Sequence, residues 1–402
     1  MSVDSAVDLT KDRLSQGILD WDVSKSDLDD ISEAVGQLSP SERNEFIGKL
    51  SDDDIKNWTQ EIDGLMGSLS AGERADLFNQ LAEGMDGTQA ARFIGAFDGS
   101  AGGRQALAEA IASHGTSEAK LGLVDSLKDR IDGQYSATAG TWGNAETVAV
   151  GEVLASLADD PNAFQAAVAA LSPQQLQDVM SVAMGRRHIV DFSGQTPGFN
   201  TYDTGALTGI LNAAQGTDLK TREAVFAAAM PQLEAMQGDT GGRMGGAGAS
   251  IDAVADAMGN VLNAEEAQNA GLVDVPEAPK GVDMEANVQE AHDHSGWTPG
   301  NAQWFYDQIK AGGEWDYKTA GAQYEDFGNF HFGLAAAAMG IPENIALRGA
   351  GYYQENVTEN SQDDWGSWHD FNGGPYGDDP NDQANIRAGY DFYESGLWRV
   401  WN

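Results

Sequence analysis

Leu38-Ser39-Pro40-Ser41-Glu42-Arg43 recurs thirty-one residues later as Leu69-Ser70-Ala71-Gly72-Glu73-Arg74, and this repeat constrains the fold more than any other feature. In each copy a serine precedes a glutamate by three positions, which is the signature of a capping box at a helix start. Each copy then runs into an apolar face, Phe46-Ile47-Leu50 in the first and Leu77-Phe78-Leu81 in the second. Leu171-Ser172-Pro173-Gln174-Gln175 is a looser third start, with Pro173 suited to the first helical turn. Thr217-Asp218 opens a fourth, before Val225-Phe226-Met230-Leu233. Helix is therefore expected from Leu9 to about Leu262. A period near thirty residues predicts helix pairs stacked in a solenoid, with an irregular bundle as the alternative.

Residues 1–270 read as a helical scaffold or delivery region without a catalytic constellation. Its basic cluster, Arg186-Arg187-His188, fits a helix C-terminus, where cations are favoured. Thr196-Pro197-Gly198 and Gly241-Gly242 read as loops; the second lacks the Gly-Lys-Ser/Thr ending of a phosphate-binding loop. Residues 271–299 read as a linker, because Val275-Pro276-Glu277-Ala278-Pro279 favours an extended backbone. Residues 300–402 then form a compact C-terminal domain, α or α+β.

Composition removes several chemistries. The chain has 402 residues and no cysteine, so disulfides, thiol nucleophiles and cysteine-ligated zinc are excluded. Met1-Ser2-Val3-Asp4 is acidic and lacks an apolar core, so export is expected to follow a route other than a cleaved signal peptide. No apolar run approaches the length of a membrane span. The net charge is −40, which repels nucleic acid and anionic lipid unless a basic patch offsets it. From Trp297 onward there are five Lys/Arg against sixteen Asp/Glu, so no such patch is evident and a nucleic-acid partner is disfavoured.

The C-terminal domain interleaves carboxylates, amides, aromatics and glycines, as a binding or catalytic site requires. Five stretches carry the pattern: Trp315–Lys318 (WDYK), Tyr324–Gly333 (YEDFGNFHFG), Leu347–Gly351 (LRGAG), Tyr376–Gln383 (YGDDPNDQ) and Ile386–Gly389 (IRAG). In this order they resemble the C-terminal toxin domain of bacterial polymorphic toxins known as type 44. The resemblance covers roughly the last quarter of the chain. It implies a toxic effector used against competing cells, carried by a secretion or injection apparatus and neutralised in the producer by a cognate immunity protein. It supplies no reaction, so the chemistry is read from the residues.

Phe327, Phe330 and Leu334 fall at helical spacing and predict an apolar stripe, with His331 at its edge. Glu325 and Asn329 are four apart and share another face. Gly328 and Gly333 each cost about 1 kcal/mol in a helix against alanine and point to close approach by another backbone or a ligand. A partly buried Glu325 would be a general acid with a raised pKa; the alternative is a packing helix with Glu325 solvated. Asp379 before Pro380 is a natural N-cap, while Asp378 and Asp382 are candidates for a second catalytic carboxylate or for a bound divalent metal. His292, His294, His331 and His369 are a weaker candidate metal set, with the first two alternating on an extended strand; otherwise His331 is a core residue.

Paired carboxylates beside aromatic faces suit glycoside hydrolysis, in which one carboxyl protonates the leaving oxygen. Trp304, Trp315, Tyr317, Trp365, Trp368 and Tyr376 are the candidate sugar-binding aromatics, with Arg348 and Arg387 as polar partners. The leading expectation is thus an effector that cuts the glycan of bacterial peptidoglycan, made in the cytoplasm and acting in the periplasm of a target cell without a resident cofactor. A ribonuclease using His331 or a metal on the acidic residues is the first alternative. A binding protein without catalysis is the second.

Overall fold

The computed structural model describes residues 1–15, 23–62, 69–136, 141–142, 144–189, 199–240, 248–296, 298–358, 361–370 and 374–401. It is mainly α, and its chain divides into two compact units, Met1–Ala229 and Met230–Asn402. The stretches expected as loops at 196–198 and 241–242 lie outside the described residues.

The first unit is a solenoid. Its helices are α1 (Val3–Leu14), α2 (Lys25–Gly36), α3 (Pro40–Lys49), α4 (Asp52–Ile62), α5 (Ala71–Gly84), α6 (Gly87–Ala96), α7 (Ala101–His114), α8 (Ser117–Leu127), α9 (Ala145–Ala155), α10 (Pro161–Ala169), α11 (Pro173–Ala183) and α12 (Gly205–Ala214), followed by the start of α13 (Leu219–Thr240). Odd helices stack in one row, from α1 on α3 through to α9 on α11. Even helices stack in another, from α4 on α6 through to α10 on α12. This alternation is what repeated helix pairs produce, because one pair cannot bury its apolar stripe alone.

The caps explain where the helices begin. The Ser39 and Ser70 amides donate to Glu42 Oε2 at 2.8 Å and Glu73 Oε2 at 2.9 Å. Ser172 and Gln175 close a third box, and Asp218 Oδ1 accepts from Thr221 N at 2.8 Å at the start of α13. The arginine that ends the first hexad links successive pairs: Arg43, nearly buried, donates to the Gln80 carbonyl at 2.9 Å and to Glu83 at 2.9 Å. Two short antiparallel ladders interrupt the array, β1 (Tyr135–Ser136) with β2 (Thr141–Trp142) and β3 (Arg187–Ile189) with β4 (Phe199–Thr201). The basic cluster is thus corrected: α11 ends at Ala183, and Arg187 and His188 belong to β3.

The second unit holds the rest of α13 with α14 (Gly248–Val261), α15 (Ala264–Asn269), α16 (Met284–Asp293), α17 (Pro299–Ile309), α18 (Glu325–Ala338), α19 (Glu343–Tyr353) and α20 (Pro380–Ser395). It has no strand among the described residues. The stretch expected as a linker is extended over 272–279, yet Val273 and Val275 are buried and α16 packs on α18. Asp283 caps α16 through the Ala286 amide at 2.9 Å, and Met284, Val288 and Ala291 form its buried face.

Candidate active site

The centre of the second unit is the crossing of α18 and α20, and glycine makes it. A Cβ on Gly333 would sit 2.0 Å from the Ile386 carbonyl oxygen, and one on Gly389 would sit 2.0 Å from that of Phe330. Only a residue without a side chain permits such contact. Phe327, Phe330 and Leu334 form the expected apolar stripe, all fully buried. Asp326 Oδ1 then accepts from Asn381 Nδ2 at 2.8 Å and Asn385 Nδ2 at 2.9 Å, tying the first turn of α18 to that of α20.

The entry to α20 is a tight turn. The Asp378 amide donates to the Pro375 carbonyl at 2.9 Å, and both central residues have positive φ, Tyr376 at 55° and Gly377 at 86°, as in a type I′ turn. Tyr376 is the one non-glycine residue with positive φ among those described, a conformation that costs on the order of 1–3 kcal/mol. Its surroundings hold it there. The Arg348 guanidinium lies 4.6 Å from its ring centroid, and its carbonyl rests where a Cβ on Gly351 would come within 1.9 Å. Gly377 N donates to the Trp365 carbonyl at 2.8 Å, fastening the 361–370 loop to the turn.

The turn directs Asp378 inward, where it is 3% exposed. Its Oδ2 accepts from Gln383 Nε2 at 2.8 Å, and the same nitrogen reaches the Leu347 carbonyl at 3.0 Å. Burial pushes the Asp378 carboxyl up to about 6; the Gln383 hydrogen bond opposes this and the Asp382 charge adds to it. Asp382, 9% exposed, is also raised by burial, against the pull of Lys318, with Glu325 and Asp379 adding to the shift. Lys318 Nζ stands 3.5 Å from Asp382 Oδ2, and its stem packs where a Cβ on Gly328 would meet Cγ at 3.0 Å. Asp379 is the expected cap, its Oδ1 accepting from Asn381 N at 2.8 Å. The result is a buried Asp378 with a raised pKa beside a buried Asp382 that Lys318 partly counters.

Other expected site residues fall differently. Glu325, expected to be partly buried, is exposed in the first turn of α18, where its charge adds to the shift of Asp382; the buried carboxyls are Asp378 and Asp382. Asn329 is buried with its Nδ2 unpartnered. His331 is 1% exposed, and burial lowers its pKa to about 3. It lies among Trp315, Tyr317 and Phe327, with Asn287 Nδ2 at 2.9 Å from Nε2, and so is closed to a phosphate.

The other histidines are dispersed. His292 sits in α16 rather than on a strand, 2.6 Å from the Tyr393 hydroxyl; His294 stacks on Trp304, and His369 Nδ1 meets Ser367 Oγ at 2.9 Å. No group of three or more His, Asp and Glu is placed to hold a metal ion among the described residues.

The aromatics divide into core and surface. Trp315 is 3% exposed, and Trp304 is covered on one face by His294, so the first is removed as a sugar platform and the second is half-buried. Tyr317 is half-buried, its hydroxyl 2.7 Å from Asn287 Nδ2. Trp365 and Tyr376 are half-buried beside the turn, and Trp368 is exposed. Arg348 reaches the carbonyls of Trp368 and Asp370, and Arg387 pairs with Glu343 at 3.3 Å. Sequence reasoning did not single out Lys318 or Gln383 as site residues, although each lies within a stretch that carries the resemblance.

Residues 302–395 match the family model of bacterial toxin 44, which contains α18, α19, the turn and α20. No curated protein and no solved structure matches the chain. No helix among the described residues is long and apolar enough to cross a membrane.

Proposed function

We propose that the second unit is the toxic part of a bacterial effector and that it hydrolyses the glycan of peptidoglycan, with Asp378 as the acid and Asp382 as the second carboxylate. The toxin reading rests on the family match at 302–395. The chemistry rests on one observation: two buried carboxyls lie in one site, both raised by burial, Asp378 to about 6, while Lys318 opposes both and stands 3.5 Å from Asp382. The lysine contact at Asp382 is what sets the two apart, and such a difference marks the acid and its partner. Asp378 gives its proton to the glycosidic oxygen as the C–O bond breaks. Asp382 stabilises the positive charge developing on the sugar, or takes a proton from the attacking water.

A neutral glycosidic bond suits a domain whose sequence from 319 to 398 has thirteen Asp/Glu against two Arg. Both arginines are engaged within the protein and the nearest lysine, Lys318, is paired with Asp382, which leaves few cationic contacts for a phosphodiester. Asp378 is 3% exposed and follows Gly377, to which the 361–370 loop is fastened, so on this reading a substrate reaches it when that loop lifts, as lids do in many enzymes. On this reading the effector is exported and acts in the periplasm of the target cell, and the producer holds a neutralising partner.

The full chain, incubated with purified peptidoglycan, should release soluble glycan fragments. Asp378→Asn should lower that rate by roughly 100- to 10,000-fold, the usual contribution of a positioned acid. The rate of the unaltered chain should fall as pH rises above about 6. Intact peptidoglycan together with degraded cellular RNA would reject the reading in favour of a nuclease.

A further inference from the structure

We propose that the outer face of α19 and the loop after it form the docking surface for a basic protein partner. Seven large apolar or aromatic side chains are exposed among the described residues, and four of them fall between 345 and 368: Ile345 at 44%, Tyr352 at 48%, Val357 at 52% and Trp368 at 38%. Ile345 and Tyr352 are seven residues apart, two helical turns on one face of α19. Trp368 joins them, its ring 5.4 Å from that of Tyr352 and at 89° to it. Concentrated exposure of this kind marks an interaction site more often than scattered apolar residues do.

The loop carrying Trp368 is anchored for this presentation. Ser367 Oγ donates to Glu355 Oε2 at 2.8 Å, and Arg348 holds the Trp368 carbonyl at 2.8 Å from below. Exposed Trp and Tyr on a rigid support are the side chains that dominate protein interfaces.

Charge identifies the partner. Asp363, Asp364 and Asp370 are exposed in the loop that carries Trp368, and Glu343, paired with Arg387, is exposed in α19. A partner with apolar residues ringed by lysine and arginine complements that face; an acidic one is repelled. A sugar fits less well, because the edge-on contact of Tyr352 and Trp368 covers part of one ring and Ile345 and Val357 offer no stacking plane. On the toxin reading above, such a partner is the neutralising protein. It would also sit on the loop packed against Gly377, the residue before Asp378, since a Cβ on Gly377 would meet the Trp368 amide nitrogen at 3.4 Å.

The full chain is used as bait against a displayed library of the producing organism's own reading frames, selecting for binding rather than survival. Sequenced binders are titrated by calorimetry against the unaltered chain and against the double variant Ile345→Asp, Val357→Asp, whose melting temperature is checked first. The expected binder is basic, weakens with added salt, and loses about 100-fold in affinity for the double variant. A library without a binder, an acidic binder, or one that holds both proteins equally overturns the proposal. So does chitotetraose binding to the unaltered chain and not to the double variant, which would make the face a sugar site. A binder that meets these criteria while the full chain harms no cell separates failure of the toxin reading from failure of the surface.

Discussion

The side-chain amide of Asn287 lies 2.9 Å from Nε2 of His331, in a site where the histidine is 1% exposed. The same nitrogen reaches the Tyr317 hydroxyl at 2.7 Å, so one residue of α16 partners two polar groups within the matched residues 302–395. Asn287 precedes the family match, which begins at 302.

Asn287→Ala should therefore lower stability by about 1–3 kcal/mol, the cost of leaving buried polar atoms unpaired. The fall is read from denaturant melts of the full chain. A fragment starting at Met230 should melt cooperatively, whereas one starting at residue 300 should not, because it lacks α16. Equal melts for the two fragments would remove α16 from the domain.

Gly333→Ala and Gly389→Ala should each destabilise by at least about 1–3 kcal/mol, because a methyl group would strike a backbone carbonyl. Gly349 supplies the control. It lies within α19 with nothing inside 4 Å of a built Cβ, so Gly349→Ala should raise stability by about 0.5–1 kcal/mol. Thermal melts of the three variants decide it: similar small effects would mean that α18 and α20 are not packed through glycine.

Asp378→Asn should stabilise the chain at pH 8 and change little at pH 3. The folded pKa is raised above the ordinary carboxylate value, so the native state holds its proton more tightly than the unfolded chain. The associated loss of stability is absent below about pH 4 and grows as pH rises to about 6, to an order of 3 kcal/mol. The amide still offers an oxygen to Gln383. Melting curves from pH 3 to 8 should thus show a smaller decline for the variant, and parallel curves would disprove the buried-acid assignment.

Tyr376→Gly should be more stable than Tyr376→Ala by about 1 kcal/mol. Both lose the ring that Arg348 covers, but only glycine relieves the positive φ. Chemical denaturation of the pair isolates the backbone term, and equal stabilities would show that the turn relaxes without it.

Much of the helical array was legible because caps are local. Ser39, Ser70, Ser172 and Asp218 mark their own helix starts within four residues. A further copy at Ser100 went unnoticed because Gly103 replaces the glutamate of the box, although Ser100 still caps α7 thirty residues after Ser70. The close approach at Gly333 was legible from its cost in a helix, but the partner helix α20 was not, since Ile386 is far away in sequence. Glu325 is exposed and Asp378 buried for a similar reason: spacing reveals which residues share a face, and burial depends on what covers that face. The prolines at 276 and 279 suggested a linker and hid α16, whose signal was Asp283 followed by Met284, Val288 and Ala291 at helical spacing.

The alternating stack of the first unit has a mechanical consequence. Each helix leans mainly on neighbours one pair away, so its stability is close to a sum of local terms. Pulled from one end, such an array gives way pair by pair, and the chain has no cysteine with which to lock any pair shut. A unit built this way unfolds in small, successive yields, and its refolding can start at any point along the array and spread to the neighbouring pairs.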